Sequence, residues 1–130
     1  MTKVIIQTEN APAAIGTYSQ AVRYENTVYI SGQIPLVAET MEFVSEEISE
    51  QIHQVFKNLS AITIAAGGDL NQIVKLNIFL TDLSCFPVVN QIMTEYFSAP
   101  FPARAAVEVK GLPKDAQVEM DAIMEMSVKA

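Results

Sequence analysis

The spacing of apolar residues changes period along the chain and thereby separates strands from helices. The first third predicts short strands over 4–7, 21–24 and 27–31. Between the last two, Glu25 and Asn26 form a candidate tight turn, because Asn tolerates a positive φ. The chain is therefore expected to begin with a β-hairpin next to a further strand.

Two later segments carry apolar residues at helical spacing. The first has Ser45 as its predicted N-cap and Gly67-Gly68 as its end. Its apolar face comprises Ile48, Ile52, Val55, Phe56, Leu59, Ile62 and Ala66. The second has Ser84 as its predicted N-cap, and its apolar residues continue to Phe97.

Three more strands are predicted, over 74–80, 103–109 and 117–126, and the short loop between the last two favours their antiparallel pairing. The fold class is α+β: a mixed β-sheet with two helices on one face, built by residues 1–130 as a single domain. The other sheet face, which carries Ile123 and Val107, would be uncovered in one chain. This predicts a homo-oligomer.

The composition of the chain disfavours several classes of function. The 15 acidic residues outnumber the 8 basic ones, and the net charge of -7 disfavours nucleic acid and anionic membranes as partners. One cysteine and one histidine leave no disulfide and no Cys/His metal cluster. No segment reads as a signal peptide or as a membrane span, so a cytoplasmic protein is expected.

Arg104 is the leading candidate for ligand binding. It shares a strand face with Ala106 and Glu108, and its small neighbours leave space for a carboxylate to meet the guanidinium through two hydrogen bonds. The residues alone favour a different interpretation, an ion pair with Glu108 or Glu119, because strand arginines commonly face acids.

For the other candidates, the residues alone favour an exposed sheet acid at Glu119 and buried packing at Tyr18, and they leave both roles open at Ser31 and Gly32. Glu119 could act as a base or position water, but it shares its strand face with Asp121 and Glu125. Tyr18 precedes the hairpin, where a phenol either packs or donates a hydrogen bond. Ser31 and Gly32 offer polar groups and bare backbone to a ligand, or merely end a strand.

Four motifs, taken in order along nearly the whole chain, resemble the reactive intermediate deaminase (Rid, YjgF-like) family. They are residues 10–21, Ser31-Gly32-Gln33-Ile34-Pro35, Pro102-Ala103-Arg104 with Val107-Glu108-Val109 and Leu112-Pro113, and Val118-Glu119-Met120. Thr17 stands where the family usually has proline, and Ala106 stands where its best-studied branch has cysteine.

This resemblance implies a chorismate-mutase-like fold assembled as a homotrimer, with the sheets forming a central β-barrel and the ligand sites lying between subunits. It also implies hydrolysis of enamines and imines, such as 2-aminoacrylate, 2-iminopropanoate and 2-iminobutanoate, to 2-keto acids and ammonia. No cofactor or metal is implied. The implied ligand is a small-molecule carboxylate.

By position in the motifs, the resemblance also implies individual roles. Arg104 would bind the substrate carboxylate, Glu119 would position the attacking water, and Tyr18 would orient the imine. The residues that would line the substrate pocket are Ser31, Gly32 and, through its backbone, Ala106.

Three alternatives stay open. A non-catalytic trimeric metabolite-binding or regulatory protein would use the same carboxylate pocket. A ribonuclease would need a basic groove, which the net charge of -7 disfavours. A chorismate mutase would need several cations in one cleft, whereas the chain has only Arg23 and Arg104 as arginines.

Overall fold

The computed structural model describes residues 2–129 and contains one mixed six-stranded sheet. The strands are β1 (Val4–Ile6), β2 (Ala21–Tyr24), β3 (Thr27–Gln33), β4 (Ile73–Leu80), β5 (Ala103–Glu108) and β6 (Val118–Glu125). They are arranged in the order β1-β2-β3-β6-β4-β5. With the helices α1 (Ile48–Ala65) and α2 (Phe86–Met93), the sheet confirms the predicted α+β class.

The predicted hairpin of β2 and β3 is confirmed, with two differences. The left-handed residue of its turn is Glu25, with a φ of 55°, rather than Asn26. β3 also continues past Ser31 to Gln33, because its pairing with β6 resumes there after a register shift that begins at Ile30. The shift is typical of a β-bulge, which bends a strand next to a site.

Both helices begin later than the sequence predicts. The N-cap of α1 is Glu47, and Ser45 instead accepts a hydrogen bond from the Glu47 amide at 2.9 Å in the preceding turn. Before α2, Asp82 caps a short 3-10 turn by accepting hydrogen bonds from the Ser84 amide and hydroxyl at 3.0 and 2.7 Å. Short polar side chains stabilise turns as well as helix ends, which explains both errors. The predicted end of α1 is confirmed by Gly67, with a φ of 100°.

The predicted pairing of the last two strands is wrong. β5 pairs in parallel with β4, and β4 separates β5 from β6. The cause is the connection through α2, because a strand–helix–strand unit returns the chain so that the second strand runs in the same direction as the first. The loop after β5 then carries the chain past β4, and β6 pairs antiparallel with β3 and β4.

The helices cover one face of the sheet. The buried core combines alternate residues of the central strands with the apolar side of the helices, including Leu76, Ile78, Leu80, Val118, Met120, Ala122, Met124, Val55, Phe56, Leu59 and Val89. The opposite face carries partly buried Ile123 and the exposed side chains of Tyr29 and Val107, as predicted for a face that one chain leaves uncovered. No helix within residues 2–129 is long and apolar enough to cross a membrane.

Candidate functional site

A cleft of about 640 Å³ opens where β3 ends beside β6. Four of the predicted site residues line it: Tyr18, Ser31, Gly32 and Glu119. Its other lining residues are Pro12, Ala13, Ile15, Gln33, Ile34, Leu36, Met41, Pro113 and Lys114. A concave, mostly apolar surface with a few polar groups is the usual form of a small-ligand site.

Glu119 is the acid of its strand that lines this cleft. From the sequence alone, Asp121 and Glu125 were equally good candidates for the acid of the site. In the structure, however, both accept hydrogen bonds from side chains that do not line the cleft. Asp121 accepts a hydrogen bond from the side-chain amide of Asn77 at 2.7 Å, and Glu125 accepts one from the Thr27 hydroxyl at 3.0 Å. Burial raises the pKa of Glu119, and the nearby charge of Asp121 raises it further. The cleft therefore contains a carboxyl group whose pKa is shifted toward that of a general base.

Tyr18 and Ser31 both line the cleft. The Tyr18 ring is half-exposed, and its hydroxyl accepts a long hydrogen bond of 3.4 Å from the Ile15 amide. The Ser31 hydroxyl donates to the Ser19 carbonyl at 2.6 Å. Tyr18 is thus not the buried packing residue that sequence reasoning favoured, and its hydroxyl hydrogen is available to a ligand.

Gln20 is a structural residue of the site that sequence reasoning missed. It is only 3% exposed, and its amide nitrogen donates to the carbonyls of Thr8, Ala11 and Pro12 at 3.0, 3.2 and 2.9 Å. Its amide oxygen accepts from the Thr8 amide at 2.7 Å. Gln20 therefore fixes the segment that forms one wall of the cleft. Gln20 lies within the motif over 10–21 and directly before a strand, but neither position shows that its side chain is buried.

Arg104 lies outside this cleft, on the edge strand β5. One guanidinium nitrogen donates to the Asn90 side-chain oxygen at 2.8 Å, and the guanidinium carbon is 4.8 Å from the centre of the Phe86 ring. A second concavity, of about 380 Å³, is lined by Asn90, Met93, Thr94, Phe101, Pro102 and Arg104. A neutral amide and an aromatic ring orient the guanidinium without neutralising its charge.

The alternative in which Arg104 forms an ion pair with Glu108 or Glu119 is wrong. Across residues 2–129, no carboxylate forms an ion pair with Arg104. Glu108 accepts a hydrogen bond from the Leu83 amide at 2.9 Å instead. The positive charge of Arg104 therefore remains available for an anionic ligand.

Arg104 and Glu119 project from opposite faces of the sheet. Arg104 pairs with Leu76 of β4, whose side chain is buried beneath the helices, whereas Glu119 pairs with Phe79, which points the other way. Ala106 lies two residues along β5 and shares the face of Arg104. One chain therefore brings Tyr18, Ser31, Gly32 and Glu119 together, but not Arg104 or Ala106.

The single histidine belongs to neither concavity. The Nδ1 atom of His53 lies 2.7 Å from the Tyr96 hydroxyl, and its ring contacts that of Tyr96 at 5.6 Å between centroids. Cys85 is a partly buried free thiol. In the part of the chain that the structure describes, no three His, Cys, Asp or Glu side chains are grouped to hold a metal ion.

Gly32 provides the space that Glu119 occupies. A Cβ at this position would lie 2.9 Å from the Glu119 carboxyl carbon and closer still to a carboxylate oxygen. We expect Gly32→Ala to displace the carboxylate and to lower any activity that depends on Glu119 at least tenfold, at a stability cost of about 1–3 kcal/mol. Catalytic rates and urea unfolding would measure the two effects.

Gly111→Ala is the matched control for this substitution, because nothing lies within 4 Å of a Cβ built at Gly111. It should leave the activity unchanged. Full activity of Gly32→Ala would contradict the assigned position of the Glu119 carboxylate.

Known proteins resemble this chain over most of its length, both in sequence and in fold. The family model described as Endoribonuclease L-PSP matches residues 8–126. The Homo sapiens protein named 2-iminobutanoate/2-iminopropanoate deaminase is 44% identical over 119 residues, which are 92% of this chain and 87% of that protein. RidA from the Antarctic bacterium Psychrobacter sp. PAMC 21119 has a crystal structure that matches with a TM-score of 0.91 and 54% identity over 94% of this chain and 98% of that one. E. coli TdcF with bound serine matches with a TM-score of 0.88 and 38% identity over 95% and 99% of the two chains.

Proposed function

The chain belongs to the Endoribonuclease L-PSP family, which includes the reactive intermediate deaminases, and from this membership we propose that it is a hydrolytic enamine and imine deaminase. Its substrates are 2-aminoacrylate, 2-iminopropanoate and 2-iminobutanoate, and its products are 2-keto acids and ammonia. No metal or organic cofactor takes part. The observation that carries the proposal is the cleft in which the half-buried carboxyl group of Glu119 lies against Gly32.

We propose that the active unit is a homotrimer in which the uncovered sheet faces form a central barrel. The apolar side chains on that face, including Tyr29, Val107 and Ile123, support this arrangement because water would otherwise surround them. The separation of Arg104 from Glu119 within one chain supports it independently. In a cyclic trimer, Arg104 of one subunit would complete the cleft that contains Glu119 of the next.

In the proposed reaction, Arg104 binds the substrate carboxylate through two parallel hydrogen bonds, and Tyr18 orients the imine nitrogen. Glu119 accepts a proton from a water molecule as the water oxygen bonds to C2 of the protonated imine. Protonated Glu119 then passes its proton to nitrogen, and it takes the hydroxyl proton back as the C–N bond breaks and the C2 carbonyl forms. The keto acid is released, and ammonia leaves as ammonium with that proton. An enamine substrate first takes up a proton at its terminal carbon. The remaining pocket residues are Ser31, Gly32 and the backbone of Ala106.

A second candidate is a non-catalytic trimeric metabolite-binding or regulatory protein. The E. coli TdcF structure favours it, because the bound serine has a carboxylate but no imine to hydrolyse. The endoribonuclease description of the family has no support in the charge of this chain, which is -7. An assay of ammonia release from freshly generated 2-iminobutanoate separates the enzyme from the binding protein.

Mixed trimers test both the reaction and the shared site. Arg104→Ala and Glu119→Gln chains with different tags would be co-expressed, and complexes carrying both tags would be purified. Each variant alone should lose most of the activity. Each purified trimer then contains two chains of one variant and one of the other, so one of its three sites combines two intact halves and about a third of the activity should return.

The control is each variant co-expressed with itself under the same two tags, which should regain nothing. Wild-type protein that releases ammonia no faster than the uncatalysed reaction would support the binding protein instead. An active wild type without recovery in the mixed trimers would contradict the site shared between subunits.

A further inference from the structure

Met41 lines the cleft from a backbone conformation that disfavours it. Its φ is 58°, in the left-handed region where a Cβ collides with the backbone. Glycine would adopt the same conformation without this collision. Strained residues of this kind concentrate at binding and catalytic sites. The Met41 side chain is thus the feature that requires an explanation.

Met41 lies in a loop over 36–43 whose ends are joined by an antiparallel bridge between Leu36 and Phe43, and this loop is fixed to the rest of the protein. The Met41 amide donates to the Val37 carbonyl at 2.7 Å, which closes the turn. At its base, the side chain of Asn58 is 1% exposed and donates to the carbonyls of Ile34 and Leu36 at 3.2 and 3.0 Å. The backbone therefore holds Met41 at the cleft, while its unbranched thioether side chain keeps the freedom to adapt to a ligand.

The cleft offers more apolar surface than the smallest imino acids can fill. In a single chain its volume is about 640 Å³, which leaves room for a longer side chain even where a neighbouring subunit covers part of the cleft. Other apolar side chains in the same lining include those of Ile15, Ile34 and Leu36. This surface is suited to an alkyl group, because burying each methylene there is favourable.

We infer that Met41 forms a side-chain subsite that makes the cleft selective for 2-imino acids with longer apolar side chains. This inference rests on the proposed deaminase function, and it assigns a specificity-determining role to Met41. The carboxylate and imine of every substrate would be bound alike. The alkyl chain would extend over Met41, with Ile15 beside it.

The test is a substrate series in which the side chain grows by one methylene at a time. An amino-acid oxidase would generate the imines in situ from 2-aminobutanoate, norvaline and norleucine. For the wild type we expect kcat/KM to rise about fourfold with each methylene. Met41→Gly, which the backbone accommodates, should reduce this increment to less than about twofold. Equal increments in the two proteins would overturn the inference.

Two further variants and one binding measurement test whether the effect comes from the apolar side chain of Met41. Met41→Leu should keep most of the increment, because it retains the apolar bulk. Glu25→Gly replaces another left-handed residue, with a φ of 55°, in the β2–β3 turn outside the cleft, and it should match the wild type. Calorimetric binding of 2-oxobutanoate, 2-oxopentanoate and 2-oxohexanoate needs no turnover. If no imine is hydrolysed, the proposed function fails and the binding series alone decides the role of Met41.

Discussion

Replacing Arg104 with alanine is expected to lower kcat/KM for 2-iminobutanoate by about 10²- to 10³-fold, because the substrate carboxylate loses its charged partner in a partly dehydrated site. The stability cost should be only about 1 kcal/mol. It comes from the hydrogen bond to Asn90 and the contact with Phe86, and no ion pair is lost within residues 2–129. Keto-acid release and urea unfolding measure the two quantities.

Two control substitutions separate charge from geometry. Arg104→Lys keeps a positive charge but cannot form two parallel hydrogen bonds, so its activity should fall between those of the wild type and Arg104→Ala. Arg23→Ala removes the other arginine, whose side chain donates to the Glu25 carbonyl at 2.7 Å in the hairpin, and it should leave kcat/KM unchanged. Wild-type rates in Arg104→Ala would refute the carboxylate-binding role.

Glu119→Gln is expected to lower kcat by about 10²- to 10⁴-fold, since glutamine cannot accept the proton of the attacking water. The pH profile gives a second measurement. Burial and the charge of Asp121 raise the pKa of Glu119, so the acidic limb of kcat/KM should lie above the ordinary range of a glutamate. If Glu119→Gln kept the acidic limb of the wild type, another group would act as the base.

The same substitution has a predictable effect on stability. Because the pKa of Glu119 is higher in the folded state, the wild type is most favoured below the unfolded-state pKa and loses stability as the pH rises through the folded-state pKa. Glu119→Gln removes this loss, so the variant should be the more stable protein at neutral pH, with the difference vanishing in acid. Urea unfolding at several pH values tests this.

Glu125→Gln is the matched control, because its carboxylate lies on the same strand and has the opposite shift. The hydrogen bond from Thr27 lowers the pKa of Glu125, so its contribution to stability is present above the unfolded-state pKa and is lost in acid. This variant should therefore be less stable than the wild type at neutral pH, and its catalytic rate should be unchanged. A gain in stability for both variants would rule out a specific effect at Glu119.

The strands and helices could be predicted because burial imposes a period on the sequence. On β6, buried Val118 and Met120 alternate with partly buried Glu119 and Asp121, so the side of the sheet that each residue faces follows directly. The alternation of buried residues does not show which strand pairs with which. β5 joins β4 because α2 intervenes between them, and a rule based on the loop after β5 overlooks that crossover.

The members of the candidate site could be named individually, but their grouping could not be predicted from the residues. The acids of β6 differ in their hydrogen-bond partners, which are distant in sequence: Asn77 reaches Asp121 and Thr27 reaches Glu125. Gln20 and Met41 carried no chemical signal. Only the structure shows that Gln20 is buried and supports the cleft wall, and that Met41 has a left-handed backbone conformation.

The position of Arg104 and Glu119 on opposite sheet faces has a consequence for how the proposed activity would respond to protein concentration. A chain that carries halves of two different sites contributes nothing to catalysis on its own, even when it is fully folded. Specific activity would then fall on dilution as subunits separate, with no loss of secondary structure. Total activity in the cell would therefore rise more steeply than the protein concentration, because both the number of chains and the fraction of chains that are assembled would increase.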